Sequence, residues 1–489
     1  MTPIPEIRVT SVNDAPVRPK RRFVLYWMIA SRRTRWSFAV QHALSRAEEL
    51  GDGSGPKPVI VLEALRVGYP FASDRFHRFV IDGMADNARR FAEAGVTYFP
   101  YIEEVAGEGK GLLEAFAREA CLVVTDEFPT YFLPRMVSTA AKRLDVKLEA
   151  IDGCGVFPLR ASDRTFTTAA SFRRVLHGAM LDELPMWPVE DPLRERIGRS
   201  PAKLPSRVTA RWDPVSPELL SEREPKLLSR LPIDHEVEVV DSKGGSEEAE
   251  RRWAFFLEEG LRDYTEARRH PDLEGTSSLS PYLHFGAISA HQMLRELLEA
   301  EGWDPGRLEA GAKGRREGFW GVSPSAEGFI DQLVTWRELG FNGCFRDPEG
   351  HATWQALPEW ARRTLRDHEN DPRPDLYSLE ELYRAETHDE LWNAAQRQLL
   401  REGRIHNVLR MLWGKKVLEW SPTPRVALER LFELNDRLAV DGRDPNSVSG
   451  ILWILGKYDR AWGPERPIFG KIRYMSTASS LRKYRLRQY

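Results

Sequence analysis

Cysteine is scarce: Cys121, Cys154 and Cys344 are the only three in 489 residues, and no Cys-x-x-Cys pair occurs. That spacing excludes a redox dithiol, an iron–sulfur cluster or a zinc ribbon, and leaves three core or surface thiols. The eleven histidines lack a His-Glu-x-x-His arrangement, so no protein-bound metal is expected. No run reaches the roughly 20 apolar residues of a membrane span. The N-terminus also lacks the charged-then-apolar pattern of a signal peptide. The expectation is a soluble, cytoplasmic protein without a membrane partner. Net charge is only −2, which by itself indicates no polyanionic partner. Internal repeats, low-complexity tracts and a Rossmann phosphate fingerprint are absent too. Gly51-Asp-Gly-Ser-Gly55 comes before a strand pattern and Gly107-Glu-Gly-Lys-Gly111 lacks the Walker spacing, so both read as loops.

What is present suits two cores, since 42% of the residues are hydrophobic. Residues 1–20 are Pro-rich without periodicity and read as a loose extension. Over 21–155, short apolar runs at Phe23–Met28, Pro58–Leu65, Thr97–Glu103, Leu122–Phe128 and Val146–Ile151 alternate with amphipathic stretches at Ser37–Leu50, Asp74–Ala94 and Tyr131–Leu144. This alternation predicts an α/β domain: a Rossmann-like, doubly wound parallel sheet with a ligand crevice where the strand order reverses. Residues 156–246 include a run of prolines from Pro185 to Pro217 and read as an interdomain linker. Over 247–489 the period is helical, at Glu248–Thr265, Ala287–Ala300, Ala326–Leu339, His388–Glu402 and Ile405–Trp420, which predicts an all-α second domain.

Several residues can carry chemistry. In Thr276-Ser-Ser-Leu-Ser-Pro-Tyr-Leu-His-Phe-Gly286 small hydroxyls cluster before a proline and a helical pattern, a run whose hydroxyls and backbone N–H groups can cradle a pyrophosphate. A plain helix cap would need only one of them. Arg410, on a predicted helix, and Asp441, in a loop, can pair beside a bound ring or form a structural salt bridge. Trp413 and Trp420 are seven residues apart on one predicted helix, so they share a face about 10 Å apart along its axis. From Lys457 to Tyr489 nine Lys/Arg, including Arg466, Lys471, Arg473 and Arg487, face only Asp459 and Glu465, a net of about +7 that suits phosphates or a solvated terminus.

Six motifs in order carry a family resemblance: Leu279–Gly286, Thr387-His-Asp-Glu-Leu-Trp-Asn-Ala-Ala-Gln396, Arg410-Met-Leu-Trp-Gly-Lys-Lys-Val-Leu-Glu-Trp420, Leu434-Asn-Asp436, Asp441-Gly-Arg-Asp-Pro-Asn446 and Glu465-Arg-Pro-Ile-Phe-Gly-Lys-Ile-Arg-Tyr-Met475. Together they resemble the class II cyclobutane pyrimidine dimer photolyases of the photolyase and cryptochrome superfamily. Val24-Leu-Tyr-Trp-Met28 is similar too, so the resemblance spans nearly the whole chain. It implies FAD in the helical domain, held at Tyr264, Thr276, Ser277, Ser278, Leu279, Ser280, Arg410, Asp441, Asp444 and Asn446. It implies that Asn435 faces flavin N5, where an amide can accept a hydrogen bond. Trp413, Trp392 and Trp420 match the family's reducing wire. Trp336 and Trp453, with Met411, match the slot for a lesion flipped out of damaged DNA; Arg466, Lys471 and Arg473, in the basic stretch, are the candidate contacts to its phosphates. The resemblance also implies a monomer and an antenna pigment, often a deazaflavin, in the sheet crevice.

The chain departs from the pattern at Gln332, where the family presents a Glu to the dimer. An amide can donate a hydrogen bond but supplies no carboxylic proton. His406-Asn407 stands where class II members carry His-Gly, and Ser289-Ala-His-Gln-Met293 lacks an expected basic residue. The chain is thus identified as a divergent member. Its expected activity is light-driven dimer splitting, with a cryptochrome-like photoreceptor or a (6-4) photoproduct photolyase as alternatives.

Overall fold

The structure is a computed structural model that describes every residue except 1, 54, 183, 197–200, 222–225 and 487–489. Six strands form one sheet: β1 (Val9–Ser11), β2 (Phe23–Met28), β3 (Val59–Leu65), β4 (Thr97–Ile102), β5 (Ala120–Asp126) and β6 (Leu148–Ile151). β2 is buried at every position. Its Phe23, Leu25 and Trp27 enter one apolar cluster with Ile60, Leu62 and Phe99. Its Val24, Tyr26 and Met28 enter a second, with Val59, Val61 and Phe91. A strand covered on both faces has no polar side to show, which is why it reads as a continuous apolar run. Each large side chain so buried contributes about 1.5–3 kcal/mol.

The strand order is β1-β6-β5-β2-β3-β4, parallel throughout except for β1. It reverses between β2 and β5, as the doubly wound reading requires. At that switch point Asp126, at the end of β5, accepts from the backbone N–H groups of Ile29, Ala30 and Ser31 at 2.8–3.0 Å and from the Tyr26 hydroxyl at 2.8 Å.

The loose N-terminal extension needs correction. Val9 to Ser11 pair antiparallel with β6. The buried Arg8 guanidinium donates to the carbonyls of Asp152, Gly155 and Val156 at 2.7–3.1 Å. Three paired residues set no period, and the partner strand is about 140 residues away in sequence, so local patterning could not reveal this element.

The chain divides into two compact units, Met1–Ala161, Pro185–Trp253 and Leu279–Glu296 in one and Ser162–Leu184, Ala254–Ser278 and Leu297–Tyr489 in the other. These cut across the sequence-drawn boundaries, since the linker segment is shared between both units. The second unit carries no strand among its described residues. Its helices start where the sequence supplies caps: Asp389 accepts from Trp392 N, Thr423 from Val426 N with Pro424 following, and Asp444 from Asn446 N with Pro445 following. Gly403, at φ 65°, ends the Glu390–Glu402 helix in the left-handed conformation. No helix among the described residues is long and apolar enough to cross a membrane.

Candidate functional site

The Asn407–Trp420 helix carries most of the candidate chemistry. His406 caps it, accepting from Val408 N, and from Leu412 to Leu418 every side chain is buried. Trp413 donates its indole N–H to Gln396 at 2.9 Å, while Trp392, on the Glu390–Glu402 helix, donates to the Trp413 carbonyl at 3.0 Å. The Trp392 ring lies 6.3 Å from Trp413, parallel to within 3°, and 5.5 Å from Trp420 at 72°. Trp392 thus bridges the two indoles that the helix period alone leaves about two turns apart. Beyond Trp420 lie Tyr377, with ring centroids at 5.3 Å, and His388, at 5.4 Å; the Tyr377 hydroxyl and His388 Nδ1 are 2.6 Å apart. His388 is exposed and Tyr377 half-buried, so this line of rings runs from the core to solvent.

Arg410, on the same helix, reaches Asp441 at 3.0 Å, the side chains being 20% and 16% exposed. Asn435 is buried; its amide nitrogen donates to Asp436 at 2.8 Å, and the Ser447 hydroxyl spans the amide, 2.9 Å from Nδ2 and 3.2 Å from Oδ1. Asp444 acts as a helix cap and Asn446 is exposed. Tyr264 is buried against Phe256 and Phe329, and its hydroxyl accepts from Arg268 at 3.3 Å. Thr276, Ser277 and Ser278 are half-buried, and Ser278, at φ 52°, accepts from Arg404 at 2.8 Å. Leu279 is buried and Ser280 opens the Ser280–His284 helix; both count with the sheet unit.

His406 adds an unexpected feature here. Its Nε2 is buried without a hydrogen-bond partner. Burial, with the cations Arg404 and Arg268 and with His270, brings its pKa down to about 4. Burial itself favours no charge, but the Arg404 and Arg268 cations that add to the shift favour an anion such as a diphosphate.

The lesion-side candidates sit on a short π-helix, Asp331–Trp336. Gln332 and Trp336 are its half-buried members, whereas Asp331, Leu333, Val334 and Thr335 are buried. Arg173 anchors this turn through Asp331 at 2.8 Å. The wider π turn sets residues i and i+4 on one side, and such turns recur at functional sites. The following helix, Arg337–Arg346, meets Pro445–Ile454 at Gly340, where a Cβ would lie 2.6 Å from the Pro445 carbonyl oxygen. Trp453 and Met411 are half-buried.

The basic C-terminal stretch is largely engaged within the chain. Arg473 holds Asp459 through two hydrogen bonds and covers Trp462 at 4.1 Å; Lys471 pairs with Glu465 at 3.2 Å; Arg466 covers Tyr474 at 4.8 Å. Arg482 and Lys483 are exposed. Arg487 lies outside the described residues.

No family model matches the chain. It is, however, 33% identical to a deoxyribodipyrimidine photo-lyase of Methanothermobacter thermautotrophicus over 484 residues, 99% of this chain and 97% of that protein. The chain belongs to the deoxyribodipyrimidine photolyase family. Proteins of the same name from Arabidopsis thaliana, at 29% identity over 95% of this chain and 88% of the relative, and from Potorous tridactylus, at 30% over 96% and 81%, agree. The fold resembles a class III photolyase of Agrobacterium tumefaciens, with TM-score 0.62 at 18% identity over 90% of this chain and 80% of that one. It also resembles a Synechocystis cryptochrome, with TM-score 0.65 at 15% identity over 95% and 86%. The expected fold class, a parallel sheet followed by a helical FAD-type domain, is therefore that of the photolyase and cryptochrome family, whose members generally bind FAD.

The residues of the helical unit fit such a group. The orphaned His406 Nε2, the hydroxyls of 276–278 and the surrounding arginines suit phosphates. The sheet crevice fits an antenna less well, because the N–H groups at the strand switch are already taken by Asp126. Sequence reading missed Ser447, Tyr377, His388 and His406 Nε2. Tertiary packing brings Tyr377 and the His406 ring to the site, whereas His388 stands inside the Thr387–Gln396 motif without having been assigned a role, and Asp-Pro-Asn-Ser447 places a hydroxyl at a helix start.

Proposed function

We propose that this chain is a class II-like photolyase that uses light to split cyclobutane pyrimidine dimers in DNA. The observation that supports it most is the line of rings Trp413, Trp392 and Trp420, which starts on the helix that carries Arg410 and ends at the Tyr377–His388 pair. A core needs no such line; a site that must draw electrons from solvent does.

FAD would be held by Tyr264, Thr276, Ser277 and Ser278 with Arg404 and His406, by the Arg410–Asp441 pair, and near Asp444 and Asn446. When bound and reduced, the flavin supplies a photoexcitable one-electron donor. The chain's own residues do the rest. Ser447 and Asp436 hold the Asn435 amide in one orientation, and Asp441 keeps the Arg410 guanidinium in place. Trp336, Trp453 and Met411 give a flipped dimer apolar surfaces that replace its lost stacking. Gln332 donates an amide hydrogen bond to a pyrimidine carbonyl. His388 can take the hydroxyl proton of Tyr377 when the ring line has lost an electron.

The test is repair itself: photoreduced protein, an oligonucleotide with one thymine dimer, and thymine absorbance followed under blue light and in darkness. Light-dependent recovery is expected. No recovery with flavin bound and reduced would overturn the reading in favour of a photoreceptor or another lesion, the alternatives that Gln332 favours.

A further inference from the structure

Lys415 is fully buried. Its ammonium donates to the Ile454 carbonyl, and its Nζ lies 5.2 Å from the centre of the Trp453 ring. Ile454 ends the Pro445–Ile454 helix, so the ammonium faces the negative pole of that helix. A neutral donor would satisfy the same carbonyl without the cost of burying a charge. The ammonium's position against Trp453 supplies the reason that capping alone does not.

Other charges near this ring cancel. The Arg473 guanidinium lies 5.2 Å from the Trp453 ring centre, and Asp459 binds it at 2.9 and 3.1 Å. On the same helix Lys416 turns to Asp389 and Glu419, and Arg410 turns to Asp441. The charge left behind Trp453 is that of Lys415.

We propose that Lys415 is a positioning residue of the lesion slot: its buried ammonium sets a positive field at the Trp453 wall that stabilises the electron a pyrimidine dimer takes up there. The proposal rests on the repair reading above. In the step it serves, a dimer held between Trp336 and Trp453 would take up one electron, which bound, reduced FAD would supply on excitation. The two carbon–carbon bonds that join the pyrimidines break, and the electron returns to its donor. Nothing is oxidised or reduced overall, and Lys415 exchanges no proton with the lesion. The field offsets the absence of a carboxylic proton at Gln332, and it also makes Trp453 harder to oxidise than the wire indoles Trp413 and Trp392.

Burial lowers the ammonium pKa to about 7, with Asp459 opposing and Arg473 adding to the shift. The field therefore weakens as pH rises through neutrality. The test uses full-length, flavin-loaded, photoreduced protein and measures dimers split per absorbed photon between about pH 6 and pH 9. The unmodified protein is expected to lose about five-fold across that range, Lys415→Arg to stay flat, and Lys415→Met to be flat and about five-fold lower than the unmodified protein in acid. A Lys415→Met profile that falls in parallel with the unmodified protein, or an unchanged yield, overturns the proposal while the repair reading stands. Absence of repair by the unmodified protein at every pH overturns the repair reading and the slot role with it.

A dark measurement guards against misfolded variants. With a folded pKa near 7 and an unfolded value of about 10.4, the unfolded chain holds the extra proton between them. The unmodified protein should thus gain urea resistance relative to Lys415→Met as pH rises through that window. Parallel urea curves would show that folding does not lower the Lys415 pKa, and would overturn the expected fall in yield between about pH 6 and pH 9.

Discussion

The rings of Trp392 and Trp413 are parallel to within 3° although the residues lie 21 positions apart on different helices. The hydrogen bond from the Trp392 indole to the Trp413 carbonyl locks that geometry. Trp392→Phe keeps an aromatic ring but loses the donor and the easily oxidised indole. Photoreduction of bound flavin should slow by roughly tenfold or more, read from bleaching under blue light with an external reductant, while repair by chemically reduced protein stays near normal. Equal photoreduction in the variant would remove the wire role.

Arg410 and Asp441 share a half-buried, charge-assisted hydrogen bond. Arg410→Ala leaves the carboxylate without that partner and should cost about 1.5–3 kcal/mol, visible in the denaturant midpoint of flavin-free protein. Asp441→Asn retains an acceptor and should cost less. Both variants should release flavin on gel filtration.

His177 stacks on Phe319 with ring centres 3.6 Å apart, and its Nδ1 accepts from Gly314 N at 3.2 Å. Burial, with Arg173 and Lys313 nearby, brings its pKa down to about 3. As pH falls below the ordinary histidine value of about 6.5, the unfolded chain takes up a proton that the folded chain refuses. Stability present above that value is therefore lost progressively toward pH 3. His177→Gln should flatten the thermal midpoint over this range. A variant that tracks the unmodified protein would show that His177 does not contribute.

Gly340 sets the approach of the Arg337–Arg346 and Pro445–Ile454 helices, because its missing Cβ would meet backbone atoms of Pro445 at 2.6 and 2.9 Å. Neither contact is a flexible side chain that could swing aside. Gly340→Ala should cost about 1–3 kcal/mol and reduce repair by separating the elements that carry Trp336 and Trp453. Unfolding curves and repair yield read these effects separately.

The sheet was legible to within a residue or two at most strand ends, because buried parallel strands write their burial directly as apolar runs. The helix that starts after Asp389 was legible as a periodic stretch from His388, whereas those that start after Thr423 and Asp444 were not predicted, although their cap side chains stand in the sequence. The site was legible only as motifs. The pairing of Arg410 with Asp441 follows from neither spacing nor period, and the insertion of Trp392 between Trp413 and Trp420 depends on how two helices meet. The burial of both Lys415 and Lys416 was not legible, because adjacent lysines on a helix read as solvated side chains.

β1 has a consequence for how the chain behaves outside its folded state. It pairs along the outer side of β6, which would otherwise offer unpaired backbone groups to a second chain. The opposite margin, β4, is blunted differently: Pro100 has no N–H to give, and its carbonyl is already bound by Val215 N at 2.8 Å. The two margins are therefore unequally secure. The β4 margin is defended by the strand's own composition, whereas the β6 margin depends on a three-residue strap that Arg8 pins in place, so detachment of the first twenty residues would open a surface prone to strand-to-strand aggregation before any helix had unfolded.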